Sequence, residues 1–514
     1  MALIDPIMVA VVALATLSAV LCLSGIFFPL GTHADEPVKV QMVLAGPYNY
    51  YHPLLMIELA RAANSFLGLT DPQSVAELGR SVSAVAYGVL VVATFTLARK
   101  VLPATAAFAA IAAAMVTPLI TIHARYFKED IYVAPFVVLA LVALIEMLRA
   151  PTHNRAIALG AAIGLAGSAK YVGGLLLLPY ALIVTIIFGR AAAIDARLMH
   201  AGITALTAVV LFGLVEVPGF FAADQFLADL TVQFHHAANG HFDIALPIAL
   251  TRGFFHLRES LWRELGPPLT IISLLGVVTP FIATGERRRP LAVIVGFALV
   301  WYLAHEISPL KPAPDFARYM VPLATLLVIL AASFVNELAE RYRAGMGSAM
   351  ASAAVVIAAI PACWLSLCVN VAVADDPRRL LPSIVATATG PVAVDGYAGY
   401  AGGTFVAQRD VLPSAADTTI LVTSNLNYDR YNRYGAGPEQ SEKTRAVAHF
   451  YAQALTLPRL DVSNGRPNLA FFNPRTTIVA MDGKAERLVP IAKMIQAIAP
   501  SLTVRWNVRP AAAM

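Results

Sequence analysis

Apolar residues in this chain run in long blocks rather than in alternation. The blocks lie near 7–30, 76–98, 103–122, 131–148, 156–169, 172–189, 200–218, 267–284, 291–307, 319–336 and 348–373. A helix of about 20 apolar residues crosses a bilayer core of about 30 Å, so the pattern predicts about eleven membrane-spanning helices, the fifth a short one. Pro118, Pro135 and Pro179 fall inside or near these blocks, where neighbouring helices satisfy the freed backbone groups. Past residue 374 the pattern changes. Short apolar runs at 392–395, 419–423 and 476–480 lie between turn residues, and Glu442 to Ala454 has helical spacing. The pattern predicts a polytopic α-helical membrane domain over 1–374 and a small α/β domain over 375–514.

Composition supports the division. Only 13% of the 514 residues are charged, about half the share of a soluble protein, which excludes a cytosolic enzyme, a disordered chain and a nucleic-acid binder. Of the 69 charges, 26 lie in residues 375–514. Cys22, Cys363 and Cys368 all sit in apolar runs and form neither a disulfide framework nor a CxxC metal spacing. The connections 99–102, 149–155, 190–199, 285–290 and 337–346 hold 11 Lys or Arg in 37 residues; the alternate connections hold 10 in far more chain. By the positive-inside rule the first set is cytoplasmic, so the N-terminus is inside and residues 375–514 are outside. The first block lacks a basic n-region and is too long for a signal peptide, so it reads as an uncleaved anchor. Arg outnumbers Lys 29 to 8, a bias of GC-rich bacterial genomes, which points to a bacterial inner membrane.

Transporters and pumps place ionisable residues mid-span. Here the unusual residues gather in the outer loops, just beyond helix ends, as suits an enzyme acting at the outer surface on a lipid-borne substrate. The first loop opens with His33-Ala34-Asp35-Glu36, whose acids either cap a helix or supply a general base. Tyr48-Asn49-Tyr50-Tyr51-His52-Pro53 then leads into an amphipathic stretch, Leu54 to Leu67. The second loop, His123 to Asp130, packs Arg125, Lys128, Glu129 and Asp130 into a short turn, either a self-neutralising salt-bridged turn or a phosphate site. Lys170 stands between the fifth and sixth blocks, where a lone lysine also snorkels to headgroups, and Arg318 stands at the mouth of the tenth.

The order of these pieces resembles the GT-C superfamily of polyprenyl-phosphate-sugar-dependent glycosyltransferases. The resemblance is nearest to bacterial relatives of the dolichyl-phosphate-mannose protein mannosyltransferases and of the lipid A aminoarabinose transferases. It is carried by Asp35-Glu36, His52-Pro53, Arg125 with Lys128-Glu129-Asp130, Gly164 to Tyr171, Arg318-Tyr319 and Ser424 to Tyr431. It implies a GT-C fold and transfer of a sugar, with inversion, from a polyprenyl-phosphate donor to an extracytoplasmic acceptor (glycan, lipid or protein). Asp35 is implied as general base with Glu36 in support. Arg125, Lys128, Lys170 and Arg318 are implied to hold the donor phosphate, and Tyr51, His52, Glu129 and Asp130 to contact substrate. Relatives with a pyrophosphate-linked donor need a divalent metal held by acids of the first two loops; the monophosphate branch generally does not, so no metal or other cofactor is expected. The family often has His-Pro-Pro where this chain has His52-Pro53-Leu54. The mannosyltransferases proper carry a large inserted domain that is missing from the 219–266 loop, so protein O-mannosylation is not the first expectation.

His235, His236, His241 and Asp243 crowd that third large loop; their spacing disfavours a metal, and the resemblance implies an acceptor-side or lid role. In the tail, Tyr428, Arg430, Tyr431, Arg433 and Tyr434 form either a sugar-stacking surface or an exposed helix start. A multi-span transporter or lipid flippase is the alternative reading of the whole chain.

Overall fold

A computed structural model of the chain describes residues 6–508 except 24, 190–192, 240–252, 309–313, 343–346, 396, 399, 402–403, 406–417, 439 and 470–471. Each predicted apolar block contains helix. In chain order the first twelve helices are α1 (Pro6–Leu23), α2 (Glu36–Leu44), α3 (Leu55–Leu67), α4 (Pro72–Ala98), α5 (Ala104–Met115), α6 (Pro118–His123), α7 (Asp130–Arg149), α8 (His153–Ala169), α9 (Tyr171–Phe188), α10 (Ile194–Val215), α11 (Val217–Phe221) and α12 (Ala223–Asn239). The later apolar blocks become Pro267–Gly276 with Thr279–Ile282, Arg288–Ile307, Val321–Tyr342 and Gly347–Ala372.

Among the described residues, seven helices are long and apolar enough to cross a membrane unaided. The expectation of continuous spans fails in two places. The third block splits into α5 and α6 because Thr117 is extended ahead of Pro118, and the residue before a proline is driven out of the helical region. The eighth splits near Pro280. The first block is helical only to Leu23, after which residues 25–30 turn out toward the first loop.

Small residues set the close packing around α8. An added Cβ at Gly160 would lie 2.5 Å from the Thr204 carbonyl oxygen, and one at Gly164 would lie 2.7 Å from that of Ala208. These glycines, one turn apart, let α8 and α10 touch backbone to backbone, the packing that apolar surroundings favour when burial alone gives no drive.

The tail folds around a five-stranded sheet. Its chain-order strands are β1 (Val392–Val394), β2 (Ile420–Ser424), β3 (Arg459–Ser463), β4 (Thr476–Ala480) and β5 (Thr503–Trp506), arranged β1-β2-β4-β3-β5. The β1–β2 pair is parallel, with Ala393 opposite Leu421; the other pairs are antiparallel. Ile420, Val422, Leu460 and Ile478 face Ile384 and the helix Leu488–Ile498, while Leu421 and Val479 face Ala454 at the end of the helix Glu442–Ala454. The three strands and the helix read from the sequence are present; β3, β5 and the helix Leu488–Ile498 are additions. Tyr428, Arg430 and Tyr431 are buried, which corrects both the sugar-stacking surface and the exposed helix start as readings of these three. The side chain of Tyr434 lies outside the described residues. A mixed cluster joins the sheet region to the membrane half: Phe28, Ala34, Ile122 and Tyr126 pack with Val369, Tyr397, Leu426, Leu469 and Phe472.

Candidate active site

The two short outer loops meet. Asp35 stands at the N-cap of α2, and Lys128, in the turn between α6 and α7, donates to its Oδ2 over 2.6 Å. The same ammonium lies 2.8 Å from Glu129 Oε2 and 3.4 Å from His52 Nε2. Glu129 also pairs with Lys39, one turn into α2. Lys39, Lys128 and Glu129 are buried, whereas the Asp35 side chain keeps 27% of its surface. Burial opposes charge on Lys128, but Asp35 and Glu129 more than offset it and raise the amine above the usual lysine value. Burial likewise opposes ionisation of Glu129, yet His52, Lys128 and Lys39 hold its carboxyl well below the usual range. Each charge in this group keeps another in place.

Glu36 faces the other way. Its two oxygens take a forked pair of bonds from Arg80 Nε and Nη2 (2.9 and 2.7 Å), and Oε1 also accepts from the Phe127 amide over 3.1 Å. Arg80 further donates to the Ile26 and Phe28 carbonyls. Both side chains are fully buried, so Glu36 ties the first loop, the second loop and α4 together. The sequence reading paired it with Asp35 as an acid pair; the structure makes it the partner of Arg80.

A second charged group lies at the junction of α7, α8 and α9. Asp130, the first residue of α7, pairs with Lys170 and lies 3.6 Å from Arg318 Nε. Lys170 sits 3.9 Å above the Tyr319 ring. Burial pulls its amine down to about 8, with Asp130 opposing and Arg318 adding to the fall.

Lys170 and Tyr319, together with Tyr51 and His52, line one end of a cavity of about 840 Å³. The rest of its wall is largely apolar, made by Ile163, Gly164 and Gly167 of α8, Leu175 and Leu178 of α9, Phe212 of α10, and Phe226 and Leu230 of α12. Leu175 and Val209 on its rim are each 60% exposed, so the cavity opens sideways on the apolar surface of the bundle. Its polar mouth is braced from behind: Glu216 accepts from the Leu54 amide (2.8 Å), Asp229 from the Tyr50 amide (2.8 Å), and Tyr171 donates to the Tyr50 carbonyl (3.0 Å).

The structure therefore brings together Asp35, His52, Lys128 and Glu129 in one group, and Asp130, Lys170 and Arg318 in the other. Lys128 links the first group to the cavity through His52. Glu129 and Asp130 do not line the cavity; each faces lysine instead. Arg125 is not brought to either group. It turns toward α1, where an added Cβ on Gly25 would lie 2.8 Å from its guanidinium carbon. Lys39 and Arg80 are the residues that sequence reasoning missed. Lys39 lies one helical turn beyond Asp35, a spacing that could have marked it. Of the third-loop histidines, His235 is exposed on α12, and His241 and Asp243 lie outside the described residues. No cluster of three His, Cys, Asp or Glu suited to a metal occurs among the described residues.

The layout defines a class: a multi-span membrane protein with paired charges at one mouth of an apolar, side-opening cavity. A sequence model described as dolichyl-phosphate-mannose-protein mannosyltransferase matches residues 73–215, from α4 to the end of α10. Among solved structures the chain is similar to the oligosaccharyltransferase AglB of Archaeoglobus fulgidus, in complex with an inhibitory peptide and a dolichol-phosphate. Identity is 11% and the TM-score 0.50, over 88% of this chain and 73% of that one. It is also similar to ArnT of Cupriavidus metallidurans bound to undecaprenyl phosphate, at 16% identity and TM-score 0.48, over 92% of this chain and 97% of that one. The apo form of the A. fulgidus oligosaccharyltransferase aligns at 14% identity and TM-score 0.46 over 70% of this chain, which spans 55% of that protein's length. No curated protein matches the chain by sequence. The chain shares its fold with that oligosaccharyltransferase, and the family match over 73–215 agrees with the GT-C resemblance read from the sequence.

Proposed function

We propose that this protein is an integral membrane glycosyltransferase that moves a sugar, with inversion, from a polyprenyl-phosphate donor to an extracytoplasmic acceptor at a bacterial inner membrane. The observation that carries the reading is the cavity: an apolar groove open to the lipid side, with Lys170 at its polar end and Arg318 sharing that lysine's carboxylate. A prenyl chain suits the apolar wall, and its phosphate suits the ammonium. The description of the family matched over 73–215 supports a prenyl-phosphate sugar as donor.

In this reading Asp35 takes the proton from the acceptor hydroxyl or amine as that atom attacks the anomeric carbon. The bond from that carbon to the phosphate oxygen breaks, and the prenyl phosphate leaves with the electron pair. Lys128 donates to Asp35 and orients it, and Lys170 and Arg318 stabilise the charge that develops on the leaving phosphate. Because a phosphate leaves without protonation, no strong acid is needed. Asp35 pairs with Lys128, Glu129 with Lys39 and Lys128, and Asp130 with Lys170 and Arg318, and in this reading these cations balance the acids. A transporter needs ionisable groups along a path through the bilayer; here they gather at helix ends and loops around one mouth.

The test incubates purified protein in lipid with labelled polyprenyl-phosphate sugars and a cell-envelope extract, and identifies products by mass spectrometry. Asp35→Asn should lower transfer by roughly 10²- to 10⁴-fold while labelled donor still binds. Full transfer by that variant would remove Asp35 as the base.

A further inference from the structure

The sheet region reaches both the loop that carries Asp35 and the second outer loop. Arg378, fully buried and forked onto Asp376, donates from Nη1 to the Thr32 carbonyl over 3.3 Å. Phe472, also fully buried, stacks on Tyr126 with ring centres 4.8 Å apart and planes 23° apart, and meets Phe28 edge-on at 5.3 Å. Tyr126 in turn meets the His33 ring at 5.0 Å, and His33 Nδ1 accepts from the Asp35 amide over 3.2 Å. Tyr126 belongs to the second loop, two residues before Lys128. The same stack therefore holds both residues of the Asp35–Lys128 pair, one through His33 and one through the chain itself.

We infer that Phe472 and Arg378 are positioning residues: the sheet region clamps the first and second outer loops together and so sets the distance and direction of Asp35 relative to the donor. The inference rests on the reading of Asp35 as the base. A rigid clamp matters there because a carboxylate must lie within hydrogen-bond reach of the proton it removes, and a displacement of about 1 Å from a remote change costs on the order of a hundredfold. Both anchors are suited to rigidity. A forked Arg–carboxylate pair has fixed geometry, and a stacked ring buried on both faces has one orientation. Most of the cavity wall, with Lys170 and Tyr319, lies on the membrane helices and the 314–320 turn, and Tyr51, His52 and Pro53 are its share of the first loop, so the clamp bears on rate more than on donor affinity.

The experiment measures transfer kinetics and labelled-donor binding for the full-length protein and for Phe472→Ala, Phe472→Tyr and Arg378→Gln, with rates expressed per bound donor. Phe472→Ala should lower kcat at least tenfold and leave the donor KM within about twofold. Phe472→Tyr, which keeps the ring, should restore most of the rate, and Arg378→Gln should lower kcat with the same unchanged KM. An unchanged kcat per bound donor in Phe472→Ala overturns the inference. So does an equal change in kcat and KM that the tyrosine variant does not reverse, since that marks general loss of folding. Asp35→Asn runs alongside: if it stays active the reading of the base has failed, whereas an inactive Asp35→Asn beside an undiminished Phe472→Ala removes the clamp alone.

Discussion

Two lysines in one site have opposite environments. Lys128, at the Asp35 end, is buried between two carboxylates, which secure its charge. Lys170, at the cavity end, shares the carboxylate of Asp130 with Arg318, and its amine falls to about 8. One lysine is a fixed structural charge that orients acids; the other holds its charge less firmly, its amine drawn down by burial. An entering phosphate would do for Lys170 what Asp35 and Glu129 already do for Lys128. The contrast separates the end that must be rigid from the end that must accept a ligand.

The largest expected effect strikes the fixed end. Lys128→Met takes from Asp35 its lysine and leaves Glu129 with Lys39, and breaking a buried ion network by removing one partner costs roughly 3–5 kcal/mol. Thermal unfolding in detergent should show this loss, with transfer falling alongside it. A variant as stable as the parent would show that the pairing is not what holds the two loops.

The cavity end should respond through affinity and pH. The charged form of Lys170 is the one that binds phosphate, and its pKa is depressed, so kcat/KM for the donor should fall as pH rises through about 8. At saturating donor the fall should move to higher pH, because the bound phosphate favours the ammonium. Lys170→Arg should abolish the alkaline fall, and Lys170→Met should raise the donor KM about tenfold or more, the loss of one charge-assisted hydrogen bond of about 1.5–3 kcal/mol. A pH profile unaltered in Lys170→Arg would assign the titration elsewhere.

The smallest effect belongs to Arg125. Since it turns toward Gly25 rather than toward either lysine, Arg125→Ala should leave the donor KM within about twofold, measured in the same assay. A tenfold rise would return it to the phosphate site.

What the sequence reveals here follows from range. Apolar blocks are local and were legible, as were the strand at 476–480 and the helix at 442–454. The breaks before Pro118 and Pro280 were carried by prolines but hidden by continuous hydropathy. β3 and β5 were missed because Arg459, Asp461 and Ser463, and Thr503 and Arg505, dilute their apolar signal. Within the site, the residue types near helix ends were legible while their partners were not. Glu36 meets Arg80 and Glu129 meets Lys39 across long stretches of chain, and nothing local selects those pairs. The direction of Arg125 was misread for a related reason: in a tight non-helical turn, spacing does not say which way a side chain points.

The aromatic stack across the outer face has a consequence for the order in which the protein comes into being. Residues 33–36 are synthesised well before Phe472, whose ring backs the Tyr126 ring that meets His33. Until the tail has folded, the Asp35 loop lacks that cover. On the proposed function, a chain cut before Phe472 would keep the apolar groove and lose the clamp on Asp35, so that it binds donor without transferring the sugar.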